Sequence, residues 1–213
     1  FDRSWYPEVS LARVEEKLRA KEAYRMMDSI NTFERQLSDD GTLIIKFFLH
    51  ISHKEQEKRL KKLSADKDTA WRVTPRDWKR YKLYDEYYTA FDEMLEHTDT
   101  PYAPWHVIAS HDKGAAMAEI YRVMVTSIKS ALAAKEKPPL LPEGSPEAGG
   151  FPLVRTPKLS DIPLDMTVDP ERYKELLKKK QKKLAELHNR LYRTRTPVVV
   201  VYEGWDAAGK GGN

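Results

Sequence analysis

The chain has 213 residues, of which 40% are hydrophobic and 33% charged, and its small basic excess leaves a formal charge of +4. This balance predicts one or two globular domains, and the charge excess is small for a protein that binds nucleic acid. The absence of cysteine excludes a disulfide framework and favours a reducing, cytoplasmic compartment. No apolar run is long enough to span a bilayer, and we expect no signal peptide from the opening residues. Because the sequence begins with Phe1 rather than Met, we expect an internal piece of a longer protein.

Helices and short strands alternate along the sequence. Helices are predicted where apolar residues recur at spacings of three and four, over 11–21, 28–37, 52–63, 74–95, 115–132 and 171–193. Strands are predicted where β-branched and aromatic residues form short runs, over 43–49, over 105–108 and from Val198 onward. The helix 74–95 has an aromatic face from Trp78 to Phe91, which we interpret as core or oligomer packing rather than base stacking.

The composition changes after residue 134. Eight of the 13 prolines lie between Pro138 and Pro170, and proline interrupts both helices and sheet ladders. We therefore predict a linker over 135–170, with one unit over 1–134 before it and the start of a second unit over 171–213 after it. The helix 171–193 is rich in lysine, which we interpret mainly as a solvated face, with attraction of a polyanion as a secondary effect.

The last strand runs into a glycine-rich motif that is typical of phosphate binding. Gly204, Gly209 and Lys210 match the pattern G-x-x-x-x-G-K, in which the glycines bring backbone N–H groups close to phosphate oxygens and the lysine adds a mobile charge. Gly211 stands where a Ser or Thr usually holds Mg²⁺, so we expect a carboxylate to supply that ligand, and Asp206 lies inside the loop. A turn without a ligand is the less favoured alternative, because the strand, both glycines and the lysine occur together.

The first residues, FDRSWY, are typical of a strand end that presents an acidic side chain. Asp2 is a candidate ligand for Mg²⁺ and Arg3 a candidate partner for a phosphate. From these six residues alone, a structural Asp–Arg pair beside a packed Trp5 is the better interpretation.

Five segments in order resemble the polyphosphate kinase type 2 family: FDRSWY, INTFERQLSDDGTLIIKFFLHISHKEQEKRL, WRVTPRDW, MLEHTDTPYAPWHVIASHDK and YEGWDAAGKGG. The resemblance covers nearly the whole chain outside the linker. In one unit of that family the glycine loop precedes the DRSWY motif, whereas here it follows that motif across the linker. The chain is therefore similar to a segment of the tandem form, polyphosphate:AMP phosphotransferase, in which the back of one unit is joined to the front of the next.

The resemblance implies a P-loop kinase-like α/β fold, with a three-layer parallel sheet, helices on both faces and a helical lid over about 52–78. It implies transfer of a phosphoryl group from inorganic polyphosphate to AMP, which forms ADP, with Mg²⁺ as cofactor. It also implies a homo-oligomer, and neither a nucleic acid nor a membrane as partner.

The resemblance also assigns roles to residues by their positions in the motifs. The implied phosphate-binding residues are Gly204, Gly209, Lys210, Gly211 and Gly212. The implied catalytic residues are Asp206, Lys210, Asp2 and Arg3, and the implied metal ligands are Asp206 and Asp2. The implied lid residues that cover polyphosphate are Arg59, Lys62 and Arg72.

Three positions of the first unit depart from the family's pattern. Glu8, Gly114 and Ala70 stand where basic residues are common, so we hypothesise that the first unit is weak or silent in catalysis and that the second does the chemistry. Two alternatives stay open: an ATP-dependent nucleotide kinase on the same fold, and a non-catalytic module for polyphosphate binding or dimerisation. Because neither unit holds both the loop and the acid motif, we expect the 213-residue chain alone to be inactive.

Overall fold

A computed structural model of the chain describes residues 4–15, 18–135 and 157–209. Its helices are α1 (Tyr6–Glu15), α2 (Ala20–Asp39), α3 (His53–Ala65), α4 (Pro75–Lys82), α5 (Tyr84–Thr98), α6 (Lys113–Lys135) and α7 (Pro170–Thr194). Its strands are β1 (Leu43–His50), β2 (Trp105–Ala109) and β3 (Val198–Gly204), and single 3-10 turns cover Ala70–Arg72 and Leu159–Asp161. Within the described ranges, no helix combines the length and the apolar character that a membrane span requires.

The three described strands form one parallel sheet in the order β2-β1-β3. The central strand β1, LIIKFFLH, is buried at every position after the first, as expected for a parallel strand covered on both faces. On one face, Phe48 packs against Phe91 of α5, with ring centroids 5.0 Å apart. On the other face, Phe47 stacks on Tyr202 of β3, whose hydroxyl lies 4.0 Å from Sδ of Met124 on α6. The predicted α/β fold, a parallel sheet with helices on both faces, is confirmed.

The first predicted helix differs from the structure. The prediction of a helix over 11–21 was wrong, because α1 begins at Tyr6 and Arg19 has an extended backbone (φ −65°, ψ 145°) immediately before α2. The backbone N–H of Arg19 donates to the carboxylate of Glu22 at 3.2 Å. This contact caps the new helix, and it is why the chain restarts at Ala20 instead of continuing α1.

The prediction of one unbroken helix over 74–95 was also wrong, because the structure has two helices there. It starts as predicted, with Pro75 at the first position and a capping box between Thr74 and Asp77, but α4 and α5 meet at Leu83, whose φ of −100° and ψ of 28° are not helical. The bend turns Tyr84 toward the sheet, where its hydroxyl donates to the carbonyl of Ile51 at 3.0 Å. Tyr84 and Phe91 are buried in the core, so their predicted packing role is confirmed, whereas Trp78, Tyr81 and Tyr88 are half-buried.

Part of the predicted linker packs on the folded body. α6 continues to Lys135, and Leu159 is 1% exposed, with its backbone N–H donating to Asp92 of α5 at 3.0 Å. The strand assigned to the second unit, β3, lies in the same sheet as β1. The division into two units therefore stays a prediction about the order of segments in a longer protein, and residues 136–156 lie outside the described structure.

A charged pair is buried at the centre of the sheet's α5 face. Nζ of Lys46 lies 2.8 Å from Oε2 of Glu34, and both side chains are 0% exposed. The ammonium also donates to the hydroxyl of Tyr6 at 2.9 Å and to the carbonyl of Thr98 at 2.7 Å, which completes its three donors. The Tyr6 hydroxyl and Nε1 of Trp5 donate to Oε1 of Glu34 at 2.7 and 3.1 Å. Burial lowers the pKa of Lys46 to about 8, and the carboxylate of Glu34 opposes that shift. The network joins α1, α2 and α5 to the central strand.

Replacing one partner of this pair tests its structural role. We expect Lys46→Met to lower the free energy of unfolding by about 3–5 kcal/mol, because the carboxylate of Glu34 stays buried without its counter-ion. Arg35→Ala is the control, since Arg35 forms an exposed pair with Asp39 on α2, and such pairs contribute only about 0.3–0.5 kcal/mol. Urea unfolding followed by circular dichroism measures both, and equal small losses in the two variants would contradict the assignment.

Candidate functional site

The carboxyl ends of the three strands meet at one edge of the sheet, which is where parallel α/β sheets bind their ligands. β3 ends at Gly204, and residues 205–209 form a turn at this edge. Two of the predicted phosphate-binding residues, Gly204 and Gly209, lie in the described structure. Asp206, the predicted catalytic and metal-binding residue of the loop, is also described, whereas the remaining predicted residues of the two motifs lie outside the described structure: Lys210, Gly211, Gly212, Asp2 and Arg3.

Both described glycines of the motif have backbone conformations that favour glycine. Gly204 has a φ of +133°, and a Cβ added there would clash with the carbonyl oxygen of Leu49 on β1. Gly209 has a φ of +110°, with no heavy atom within 4 Å of an added Cβ. Gly204 is therefore required both by its dihedral angles and by the close approach of two backbones, whereas at Gly209 the dihedral angle alone favours glycine.

Trp205 anchors the start of the turn in the core. Its ring is 3% exposed and stacks on Tyr84 of α5 at 3.9 Å, with the edge of Phe91 5.0 Å away. Its indole Nε1 donates to Nδ1 of His50 at 2.9 Å. Burial lowers the pKa of His50 to about 4, with a further lowering from His111, so the imidazole stays neutral and keeps its acceptor nitrogen at neutral pH.

Arg59 of α3 holds the turn through hydrogen bonds to backbone carbonyl groups. Its Nη1 donates to the carbonyl of Ala207 at 3.0 Å, and its Nη2 donates to the carbonyls of Ser110 and His111 at 2.6 and 2.9 Å. Its Nε donates to the carboxylate of Glu55 at 2.9 Å. The guanidinium, which the resemblance assigns to the lid, thus ties the turn to the end of β2.

The other two predicted lid residues occupy exposed positions. Lys62 lies near the end of α3, and Arg72 lies in the 3-10 turn that follows, with its guanidinium 5.2 Å from the ring centroid of Trp71. Trp71 itself is 74% exposed. Among the described residues, Arg59 is the one of the three that hydrogen-bonds to the turn.

A second arginine, Arg80 of α4, joins the helical region to the turn. Its Nη1 lies 3.4 Å from Oδ2 of Asp206, and its Nε lies 2.7 Å from Oε1 of Glu15 on α1. Glu15 also accepts from Arg76 at 2.7 Å and from the hydroxyl of Tyr87 at 2.9 Å. Burial alone would raise the pKa of Glu15, but these three donors outweigh it and lower the pKa to about 2. Glu15 thus remains ionised and holds Arg80 beside Asp206.

A cavity of about 80 Å³ lies between the turn and these helices. Asp206, Arg80 and Gln56 supply polar groups to its wall, while Leu11 and Phe91 supply apolar surface. The side-chain amide of Gln56 donates to the backbone carbonyl of Asp206 at 3.4 Å. The cavity therefore lies directly beside Asp206 and presents both polar and apolar groups to a ligand.

The acid-motif segment lies beside the strand end that precedes the loop. The hydroxyl of Ser4 donates to Oε1 of Glu203 at 2.7 Å, across 199 positions of sequence. The structure therefore brings together Ser4 of the acid motif, the glycine turn and α4, which the sequence analysis had assigned to two units and a lid. Sequence reasoning missed Ser4, Glu203, Glu15 and Arg80. Arg80 lies only two residues beyond the predicted end of the lid, so a slightly longer lid would have included it.

The donor groups at this edge are compatible with a magnesium ion that is shared with phosphates. Mg²⁺ prefers oxygen ligands and is usually held by one or two carboxylates together with substrate phosphates. Asp206 offers one carboxylate, with its side chain about a quarter exposed at 26%. Within the described part of the chain, no group of three or more potential metal-ligating side chains is present.

Substitution of the first glycine of the motif tests the close approach of the two strands. We expect Gly204→Ala to destabilise the protein by more than the about 1–2 kcal/mol that left-handed backbone strain costs alone, because the added methyl meets the backbone of β1. Gly41→Ala is the matched control, since Gly41 has a φ of +86° but no heavy atom within 4 Å of an added Cβ. Thermal unfolding compares the two variants, and an equal loss in both would argue against the tight contact.

The ionisation of Glu15 predicts a specific acid dependence of stability. Its pKa in the folded protein is about 2 against an ordinary 4.5, so its stabilising contribution is complete above about pH 4.5 and is lost as the pH falls toward 2. We expect Glu15→Gln to flatten the fall in the free energy of unfolding across this window. Glu8→Gln, which alters an exposed acid of the same helix, is the control. An unchanged acid limb in Glu15→Gln would contradict the ion-pair geometry.

Comparison with known proteins identifies the family of the chain. The family model described as polyphosphate kinase 2 matches residues 1–136 and 167–213. The polyphosphate:AMP phosphotransferase of Pseudomonas aeruginosa is 34% identical over 213 residues, which is 100% of this chain and 42% of that protein. The polyphosphate:AMP phosphotransferase of Acinetobacter johnsonii is 38% identical over 130 residues, which is 61% of this chain and 27% of that protein.

A solved structure shares the fold. The crystal structure of polyphosphate kinase 2 from Arthrobacter aurescens TC1 has a TM-score of 0.53 at 33% identity, and the match covers 68% of this chain and 50% of that chain. The chain spans less than half the length of the two curated relatives named above. Since the family model matches both the segment before the predicted linker and the segment after it, the chain belongs to the polyphosphate kinase 2 family.

Proposed function

We propose that the chain is part of a phosphotransferase that transfers the terminal phosphoryl group of inorganic polyphosphate to AMP. An oxygen of the AMP phosphate attacks the terminal phosphorus, the phosphoanhydride bond breaks, and the shortened polyphosphate leaves with the bonding electron pair. The products are ADP and a polyphosphate one unit shorter. The single observation that supports this most strongly is the meeting of the glycine turn, Asp206 and Arg80 at the carboxyl edge of the sheet.

The chemistry of phosphoryl transfer explains why such a site needs cations and backbone N–H groups. The reaction depends mainly on positioning and on neutralising charge on the phosphoryl oxygens, with little demand for a strong nucleophile. Gly204 and Gly209 give the turn its shape, and Lys210 carries the mobile charge of the motif. Arg80 stands at the same edge, so its guanidinium is placed to exchange the carboxylate of Asp206 for a phosphate oxygen.

Mg²⁺ belongs to this proposal as the ion that accompanies the phosphates. When bound, it would neutralise charge on their bridging and terminal oxygens. Asp206, and Asp2 in the acid motif, are the carboxylates of this chain proposed to hold it. The tandem arrangement and a cytoplasmic location belong to the same proposal, supported by the order of the two motifs and by the absence of cysteine.

A donor comparison tests the proposal. The full-length protein that contains this chain is incubated with AMP, Mg²⁺ and either polyphosphate or ATP, and the formation of ADP is followed by chromatography. We expect ADP from polyphosphate, with little formed from ATP, and we expect Lys210→Ala to abolish turnover. Lys129→Ala is the control, because Lys129 is exposed on α6.

Each other outcome would replace the proposal by a different function. ADP formed only with ATP would make the protein an ordinary nucleotide kinase. Absence of product with both donors would favour a binding module, an alternative to which the loss of basic residues at Glu8, Ala70 and Gly114 points. Full activity in Lys210→Ala would remove the phosphate loop from the mechanism.

A further inference from the structure

α4 is held on the protein body by charged contacts rather than by burial. It lies wholly within the described part of the chain, and none of its eight residues, Pro75–Lys82, is buried. The next helix, α5, buries seven of its side chains. The two helices meet at Leu83, whose backbone is not helical. α4 is therefore a surface helix that is joined to a core helix through a non-helical residue.

One carboxylate contacts two successive turns of α4. Oε2 of Glu15, the last residue of α1, accepts from Nη2 of Arg76 at 2.7 Å, and its Oε1 accepts from Nε of Arg80 at 2.7 Å. Arg76 and Arg80 are four residues apart, so their side chains lie on the same face of the helix. A single side chain of α1 therefore binds both the start and the middle of α4.

Glu15 itself is fixed on the body. Its Oε1 also accepts from the hydroxyl of Tyr87 on α5 at 2.9 Å, and Tyr87 is buried. Two residues earlier on α1, Arg13 forms an ion pair with Glu93 of α5 at 3.2 Å. The start of α1 is anchored in the buried network around the central strand. The carboxylate is thus a fixed acceptor for a helix that lies at the surface.

A second contact of α4 lies beside its junction with α5. The ring of His53, at the start of α3, lies 4.3 Å from that of Tyr81, and its Nε2 lies 3.1 Å from the carbonyl oxygen of Tyr81. Tyr81 is two positions before Leu83, so this contact leaves the opposite end of the helix, at Arg76, to Glu15. All of these groups belong to the segment before the predicted linker, so their contacts do not depend on the position of β3 or of the phosphate loop.

We propose that Glu15 is the latch of the predicted lid: its ion pairs with Arg76 and Arg80 hold α4 against α1, and α4 swings about Leu83 when they open. The 3-10 turn that carries Arg72 leads directly into α4, so the position of α4 sets the position of this lid arginine. Glu15 acts through the arginines and is therefore a positioning residue. The linear chain of phosphate that the lid would cover rests on the proposed function, whereas the latch does not.

Distances between spin labels in the full-length protein test the latch. This chain has no cysteine, so labels can be attached at chosen sites once any cysteine elsewhere in the protein is replaced by serine. The first pair joins α4 to the body, with Lys79→Cys and Glu96→Cys. The second pair joins two helices of the body, with Gln36→Cys and Glu96→Cys. All three positions are exposed, so the labels do not disturb the core.

Glu15→Gln keeps the size of the latch side chain and removes its charge. We expect the distance distribution of the Lys79/Glu96 pair to become about twice as wide and to gain longer distances, because a neutral amide binds the two guanidinium groups only weakly. The Gln36/Glu96 pair is expected to keep its distribution, which distinguishes an open latch from general unfolding.

The matched control variant lies in the predicted lid as well. Glu57→Gln removes an ion pair with Lys61 on α3 and leaves the contacts of Glu15 in place, so we expect both label pairs to keep their distributions. An unchanged α4 pair in Glu15→Gln would overturn the latch. Equal broadening of both pairs would make Glu15 a support of the whole body. Equal broadening of the α4 pair in Glu57→Gln would remove the special role of Glu15.

The measurement without ligand is independent of the proposed function, which the donor comparison tests separately. With tripolyphosphate and Mg²⁺ added to the Glu15→Gln protein, we expect the α4 pair to return toward its narrow distribution, because a bound polyanion attracts the basic side chains of the lid. If the α4 pair stays wide although tripolyphosphate binds, a phosphate chain is not what the lid covers, and the latch stands.

Discussion

The buried pair of Lys46 and Glu34 is the interaction on which the rest of the site depends. A charged ammonium in the middle of a central strand is costly unless every donor is satisfied, and here the acceptors come from α1, α2 and α5. Glu34 uses its second oxygen to hold Tyr6 and Trp5, which are the last two residues of the acid motif. Trp5 and Tyr6 are thus held from inside the core, and Ser4 beside them reaches the end of β3.

The turn after β3 is held rigidly at its base and more loosely at Asp206. Trp205 is stacked in the core, and Arg59 makes short hydrogen bonds to the carbonyl groups around the turn. By contrast, the contact between Asp206 and Arg80 is 3.4 Å long, and that between Gln56 and the Asp206 carbonyl is also 3.4 Å. A site that exchanges phosphates needs this combination, because the backbone that grips the ligand must be preorganised while the charged side chains change partners.

The sequence predicted the features that depend on local chemistry. The start of α3 follows from Ser52, whose hydroxyl accepts the N–H of Glu55, and the strand β1 follows from a short apolar run. The glycines of the phosphate-binding motif, and the position of that motif directly after a strand, were also predicted from the sequence. The break at Leu83 could not be predicted, because the aromatic pattern continues through both α4 and α5. The bend is set by the docking of Tyr84 on the sheet, which is a tertiary contact. The contacts of Arg80 could not be predicted either, since its two carboxylate partners lie 65 and 126 positions away.

Arg80 couples phosphate binding to the pairing of the Asp206 carboxylate. It lies between two carboxylates, and Glu15, with a pKa of about 2 and three donors, is the partner that it keeps. Under the proposed function, a phosphate that approaches Arg80 competes with Asp206 for the same guanidinium edge, since a phosphate offers more charge and more acceptor oxygens. Under that function, binding of a phosphate by Arg80 would free the carboxylate of Asp206 to hold Mg²⁺, and engagement of Asp206 with the ion would leave Arg80 free for a phosphate. Because binding linkage is reciprocal, this single shared contact would make the two ligands favour each other without any movement of the sheet.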